Sequence, residues 1–241
     1  LTSSRESPNG GISEAYGALT GFIFSSNFVN PAPDPATGRY PSTSPAIART
    51  NPLEAVNRFD FQQRTSRFIG DVQLNLTPVE GFTTNLTLGY DNSTQLSNGF
   101  IPAGNTTPTY QGGLARRADQ TNFQVNTDLT LSYKRNLTDW LVSTTTAGGT
   151  QQYQRFYTTA IQSILLTPGI STAAFGNGTT VAGEAQSTLS IRGAFAQQTF
   201  GFYDQLFLTG ALRVDAASVY GVNQRTQYYP KAGVSYVVSQ S

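Results

Sequence analysis

Histidine, cysteine and methionine are all absent from the 241 residues, and each absence removes a class of chemistry. Without histidine there can be no Ser-His-Asp triad, no imidazole general base and no imidazole metal ligand. Without cysteine there are no disulfides and no thiolate metal sites. Without methionine the chain does not begin at a start codon, so a processed product or an interior piece of a longer protein is expected. Charge is scarce as well: 12% of residues are charged, the net charge is +1, and no basic run occurs. Nucleic acid is therefore not an expected partner. Long apolar runs are missing too. No stretch approaches the roughly 20 apolar residues of a transmembrane helix, and Leu1–Gly10 lacks the apolar region of a signal peptide. Any crossing of a membrane must use strands.

What is present is Thr, Ser, Gln, Asn, 23 glycines and 12 tyrosines around a hydrophobic content of 38%, which is too little Leu, Ala, Glu and Lys for a helical domain. From Arg64 onward the dominant rhythm has period 2. In Gln120–Lys134 one face carries Phe123, Val125, Leu129, Leu131 and Tyr133, broken only by Thr127. The other carries Gln124, Asn126, Asp128, Thr130, Ser132 and Lys134. That is a strand with one apolar and one wet face. Phe68–Leu76 and Phe82–Tyr90 repeat the pattern around a turn at Pro78–Gly81, with Ile69 out of phase. Trp140–Gln151 is Thr- and Gly-rich, and its facing stays open. Ser187–Phe200 is a strand of undecided orientation, because Ile191 and Phe195 share a face with Gln197. Leu206–Asp215 alternates with Phe207 out of pattern, and Gln227–Val238 completes the series, with Pro230 suggesting a strand start, an edge or a bulge.

The connections alternate in length. Pro78–Gly81, Arg135–Asp139 and Gly201–Gln205 are short, whereas Asn92–Asp119, Gln152–Gln186 and Ala216–Arg225 are long. Short periplasmic turns opposite long extracellular loops are the habit of transmembrane barrels. Phe82, Tyr133, Trp140, Phe202 and Tyr203 gather at the short-turn ends, and Tyr90, Tyr220, Tyr228 and Tyr229 near the long-loop ends, as two interfacial girdles would. The expected fold is all-β: an antiparallel meander of about seven long strands, part of a transmembrane β-barrel in the bacterial outer membrane. Residues 61–241 supply the strands. Residues 1–60 are read as an extracellular excursion: loop over Leu1–Gly11, a short amphipathic helix over Ile12–Phe24 with Ile12, Ala15, Tyr16 and Leu19 on one side, then a break at Pro31–Pro35. Seven strands cannot close a barrel, since bacterial barrels have even counts from about 8 upward, so the remainder of the wall is expected from other sequence.

Candidate contacts for a ligand or the lumen are Asp91, Asn92, Tyr110, Arg213 and Asp215. Aromatic faces and amides in the long loops suit sugars or peptides by stacking and hydrogen bonding. Arg213 with Asp215 reads either as a contact ordering the Ala216–Arg225 loop or, more plainly, as a polar pair on a wet face. Asp71 and Asp91 are not held at a glycosidase spacing by anything in the sequence. Gly112-Gly113 and Gly148-Gly149 lack the lysine and helix start of a phosphate loop. No catalytic residue, metal ligand or cofactor is expected.

Several segments, in order, carry a likeness. The Pro31–Pro35 segment with Gly38 and Tyr40 precedes Asn51-Pro52-Leu53. The hairpin Arg67–Tyr90 ends in Gly89-Tyr90-Asp91. Tyr203-Asp204-Gln205-Leu206-Phe207-Leu208 leads to Leu212-Arg213-Val214-Asp215, and Ser218-Val219-Tyr220-Gly221 leads to Arg225 and Tyr229-Pro230. In these the chain resembles the SusC/RagA-type TonB-dependent outer-membrane transporters, with Ala216-Ala217 where that family has Gly-Ser and Val219 where a basic residue is common. The resemblance implies import of a large nutrient, an oligosaccharide or peptide. The partners it implies are outer-membrane lipid, the remainder of the barrel with its plug, TonB, and a surface lipoprotein lid. Two other readings of the strands stay open: a surface or extracellular all-β structural or adhesin subunit, and a secreted carbohydrate-binding β-sandwich. A barrel leaves the apolar faces as one outward band about 25 Å tall, whereas a sandwich buries them between sheets.

Overall fold

The computed structural model describes residues 2–6, 16–44, 49–173, 177–221 and 225–238. Thr2–Glu6 is β1; Ala18–Phe24 and Pro52–Arg58 are α1 and α2. The remaining strands are β2 (Asp60–Leu76), β3 (Phe82–Ile101), β4 (Leu114–Thr138), β5 (Leu141–Ile164), β6 (Thr180–Phe202), β7 (Leu206–Ala217) and β8 (Thr226–Tyr236), with one 3₁₀ turn at Pro108–Tyr110. They form one sheet in the order β1-β2-β3-β4-β5-β6-β7-β8, the antiparallel meander expected. The seven long strands expected are β2–β8, and among the described residues one short strand is added to them, making the sheet eight-stranded and its number even. The added strand is β1, which lies in residues read as loop. It has no apolar residue to betray it, and pairs antiparallel with β2, Thr2 opposite Arg67 and Glu6 opposite Gln63. Parts of the expected loops and Ile12–Ala15 of the expected helix fall outside the described residues.

Most strands run further into the long connections than their apolar alternation. β3 continues to Ile101, β4 begins at Leu114, β5 continues to Ile164 and β6 begins at Thr180. Both faces there are largely polar (Asp91-Asn92-Ser93-Thr94-Gln95 is one such run), so the period-2 signal disappears while the backbone ladder persists. The short turns are where expected. Gly81, at φ 76°, accepts from the Lys134 amide at 2.7 Å, and a side chain there would strike the Lys134 carbonyl. In the Gly201–Gln205 turn, Tyr203 and Asp204 have φ of 53° and 55°, and Gln205 N–H bonds Phe202 C=O at 3.0 Å. Two left-handed residues in a row make a type I′ turn, usually Asn-Gly. Here Tyr203 is held by stacking on Trp140 at 5.6 Å.

The chain divides into two compact units. The first comprises Leu1–Arg67, Ser93–Thr121 and Tyr157–Gln186. It holds every buried hydrophobic side chain among the described residues, centred on Tyr16, Ala55, Phe59, Phe61, Ile101 and Leu114. α1 buries Thr20 and Gly21 and leaves Leu19 exposed. The expected pairing of Tyr16 with Leu19 on one face therefore fails, because close approach to α2 selects the small side. The second unit comprises Phe68–Asn92, Asn122–Phe156 and Ser187–Ser241. Many of its large apolar side chains stay exposed: Val72 is 67% exposed, Leu212 47%, Val234 74%. Among the described residues no second layer covers them, as a sandwich would require.

Candidate functional site

The second unit sorts its side chains cleanly. In β6–β7–β8 the register sets Phe200 opposite Leu208 and Leu208 opposite Val234, and likewise Val214 opposite Tyr228. One position out of phase lies a polar row: Gly193 opposite Asp215 opposite Gln227, and Phe195 opposite Arg213 opposite Tyr229. This fixes the undecided strand. Ile191, Phe195 and Gln197 share the polar face of Arg213. β5 is fixed by Thr146 bonding Ser132 at 3.3 Å and Gln154 bonding Asn122 at 3.1 Å, which puts its even residues on the polar face too.

The exceptions have a packing cause. Phe195 covers Gly148, where a Cβ would lie 2.6 Å from the ring, and Phe207 covers Gly201 at 3.0 Å. An aromatic ring laid over a glycine fills the space that a side chain would otherwise occupy, so a phenylalanine can serve the wet face. On the apolar face, the vagueness of β5 comes from a polar island. Gln198 donates to Ser143 Oγ at 2.8 Å and to the Thr199 carbonyl at 3.3 Å, and accepts from Thr145 Oγ1 at 2.6 Å. Satisfied internally, such a group can face hydrocarbon.

Aromatic rings bound the apolar face in two rows. Phe68–Tyr90, Tyr90–Phe123 and Phe123–Tyr153 have centroid separations of 5.8, 5.5 and 6.2 Å. Nearer the short turns, Phe82–Tyr133 and Trp140–Phe202 lie at 6.4 and 6.2 Å. At about 3.4 Å per residue, Phe82 to Tyr90 spans about 27 Å and Phe123 to Tyr133 about 34 Å. Tilted by about 35–45°, these become heights of about 19–28 Å, which bracket the apolar band of a transmembrane barrel. Tyr229 leaves the expected girdle for the polar face, since its register partner is Arg213.

Of the candidate contacts, the structure joins Arg213 and Asp215. Arg213 Nε donates to both carboxylate oxygens at 2.9 Å, and Nη2 reaches Thr150 Oγ1 at 3.5 Å. The pair occupies the space over Gly193, where a Cβ would come within 2.3 Å of Asp215 Oδ1. The loop beyond is held by other bonds: Ser218 N–H to the Ser190 carbonyl at 2.9 Å and Arg225 Nε to the Tyr220 carbonyl at 3.2 Å. Asp91 and Asn92 are consecutive in β3, so Asn92 falls in phase with Tyr90 and Asp91 with the polar residues. Tyr110 sits in the 3₁₀ turn, its ring edge-on to Tyr16 at 5.9 Å.

A polar latch in the first unit escaped the sequence reading. Asn51, fully buried, caps α2 by accepting from Leu53 N–H at 2.9 Å and Glu54 N–H at 3.2 Å, with Pro52 at the first helical position. Its Nδ2 donates to the carbonyls of Pro31 at 2.8 Å and Pro41 at 3.0 Å, pinning the proline-rich segment. Glu54 is also fully buried, and its carboxylate takes Arg58 Nη1 at 2.5 Å, Thr106 N–H at 2.7 Å and Thr106 Oγ1 at 2.5 Å. Pairing of that kind is what lets a carboxylate stay buried. An Asn cap with Glu three residues on is a capping-box signature. Here Thr106 is inserted into the box, its Oγ1 accepting the Asn51 N–H at 2.9 Å.

Against known proteins, the family model described as TonB dependent receptor-like, beta-barrel, matches residues 7–241. The fold is similar to that of the RagAB peptide transporter, with TM-score 0.64 and 17% identity over 83% of this chain and 22% of that one. The RagAB peptide importer in its closed-closed state gives TM-score 0.64 and 16% identity over 82% of this chain and 22% of that one. The siderophore receptor PiuA from Acinetobacter baumannii is matched at TM-score 0.40 and 13% identity, over 72% of this chain and 29% of that one. The chain thus spans 22% of the length of the RagAB chains it matches. No curated protein matches the sequence.

Proposed function

Since the chain belongs to the TonB-dependent receptor-like β-barrel family of the bacterial outer membrane, we infer that it builds part of the wall of a transporter importing a large nutrient, an oligosaccharide or a peptide. The family transports rather than catalyses. The observation that carries the reading is the uncovered apolar face of the second unit, bounded by two aromatic rows at a bilayer's spacing. Hydrocarbon is the cover such a face needs.

The short turns then face the periplasm and the long connections the exterior, with residues 1–60 an extracellular excursion locked by Asn51 and Glu54. Outer-membrane transporters close about 22 strands around a plug, so the seven long strands β2–β8 supply roughly a third of the wall, while the short β1 pairs with β2 outside the aromatic rows. The remainder of the barrel and the plug complete it, TonB energises it, and a surface lipoprotein lid, by the SusC/RagA likeness, covers it. Asp91, Arg213 and Asp215 on the polar face line the path of the nutrient. Asn92, in phase with Tyr90, and Tyr110, edge-on to Tyr16, are further candidate contacts in the long connections. The test is fractionation and uptake with the full-length protein in its host. It is expected in the outer membrane, released by detergent alone, with uptake of labelled oligosaccharide or peptide lost when TonB is removed. Recovery in the soluble fraction overturns the reading.

A further inference from the structure

Among the described residues, Arg58 pairs with Glu54, Arg117 with Asp119 and Arg213 with Asp215. Arg116 is held differently. Its guanidinium lies over the Phe61 ring at 4.9 Å and the Tyr16 ring at 5.6 Å, and Nη1 donates to the Tyr16 phenol oxygen at 3.0 Å. The two rings are themselves stacked at 5.2 Å. Aromatic faces fix a guanidinium without neutralising it. Among the described residues no carboxylate bonds Arg116. Asp60 and Arg116 both line an adjoining cleft, where the Asp60 carboxylate accepts from Gln62 Nε2 at 2.9 and 3.1 Å.

Arg116 forms one wall of a hollow of about 540 Å³. Ser97, Ala118, Ala160 and Gly183 line it with short side chains, Ile161 and Val181 with apolar ones, and Gln162 adds an amide. The space around Gly183 is open, with no atom within 4 Å of where a Cβ would stand. Along β4, Arg116 and Ala118 are in phase with Gln124 and Asn126, the wet face of the strand; Arg117 borders the hollow too, its charge paired with Asp119 at 2.9 Å.

We propose that this hollow is an anion subsite for the imported nutrient, in which the Arg116 guanidinium receives a carboxylate and Gln162 bonds the adjoining amide or hydroxyl. The proposal rests on the import reading above. A carboxylate can come from a peptide's C-terminus or from a uronic acid of an oligosaccharide, and the same planar fork recognises both. The size of the hollow admits a residue or a sugar ring.

The full-length transporter, purified in detergent, is titrated with two probe pairs. One pair is a short Ala/Ser peptide with a free C-terminal carboxylate and the same peptide amidated; the other is trigalacturonate and galactotriose. The charged member of one pair should bind at least about tenfold more tightly than its neutral partner, as a charge-assisted hydrogen bond provides, and which pair does so identifies the source. Arg116→Gln should erase that ratio and Arg116→Lys keep part of it. Ala160→Glu leaves the Tyr16–Phe61 packing intact and sets a negative charge in the hollow, so it should erase the ratio even if Arg116→Gln disturbs the fold. Equal binding within both pairs, or a ratio that survives Arg116→Gln or Ala160→Glu, overturns the proposal. Fractionation and TonB-dependent uptake are unaffected by that failure, so the import reading stands or falls separately.

Discussion

Replacing Asn51 by alanine should loosen the proline-rich segment and the start of α2 together while leaving the strands of the second unit alone. The side chain makes two kinds of bond, and their energies can be added. Losing a helix N-cap costs about 1 kcal/mol. Losing the two amide donations, to Pro31 O at 2.8 Å and Pro41 O at 3.0 Å, costs about 1 kcal/mol each. The total of about 3 kcal/mol raises the population of the locally open form about a hundredfold. Hydrogen exchange followed by mass spectrometry on the full-length protein reads this directly. The Leu53 and Glu54 amides report the cap, and the Ser26 amide, bonded to the Thr43 carbonyl at 2.7 Å, reports the pinned segment. Asn51→Ala should accelerate all three by about two decades. Asn51→Asp keeps the accepting oxygen but turns an oxygen toward the two carbonyls, so Ser26 should accelerate more than Leu53 and Glu54. Unchanged exchange at Ser26 in the alanine variant, or equal acceleration throughout β6–β8, would refute the latch.

The glycine under Phe195 is a second point of attack. Gly148→Ala sets a Cβ 2.5 Å from the Leu129 carbonyl and 2.6 Å from the Phe195 ring, so it should destabilise by about 1–3 kcal/mol in urea unfolding. Gly210→Ala, with nothing within 4 Å, should stay within about 0.5 kcal/mol, and equal costs would contradict the packing described. Leu129→Arg on the apolar face should cost about 2–4 kcal/mol in lipid vesicles, and Thr130→Arg, one residue on and facing the polar side, under about 1 kcal/mol; a reversed order would exchange the two faces. Asp215→Asn should cost no more than about 1 kcal/mol by the same unfolding assay, because Arg213 and Asp215 side chains are 42% and 26% exposed and solvent weakens the pair. A larger loss would mean the pair holds the sheet together.

How much of this was legible in the sequence follows from which face each residue serves. Gln120–Lys134 and the hairpin Phe68–Tyr90 were readable because one of their faces meets an apolar medium and the other meets water, so alternation is enforced. The outer reaches of β3 to β6 were not, because polar residues occupy both faces and only the backbone ladder defines them. β5 and β6 hid their orientation for opposite reasons: Ser143, Thr145 and Gln198 place polarity on the apolar side, and Phe195 places a ring on the polar side over Gly148. Both devices depend on a neighbour across the sheet, which a single strand does not encode. Asn51-Pro52 with Glu54 carried a readable cap signature, yet its partners Pro31, Pro41 and Thr106 are set by tertiary folding. Arg213 and Asp215 were found because two residues along a strand share a face. Arg116 was missed because the rings that hold it come from distant segments.

From Phe123 to Tyr133 the odd residues of β4 face hydrocarbon and the even ones face water. The chain has no native cysteine, so single cysteines introduced from Phe123 to Tyr133 in the full-length protein can each carry a spin label in lipid bilayers. Collision with oxygen should peak at 123, 125, 127, 129, 131 and 133, and collision with a water-soluble nickel chelate at 124, 126, 128, 130 and 132. Accessibility without a period of two, or with the two phases exchanged, would contradict the account.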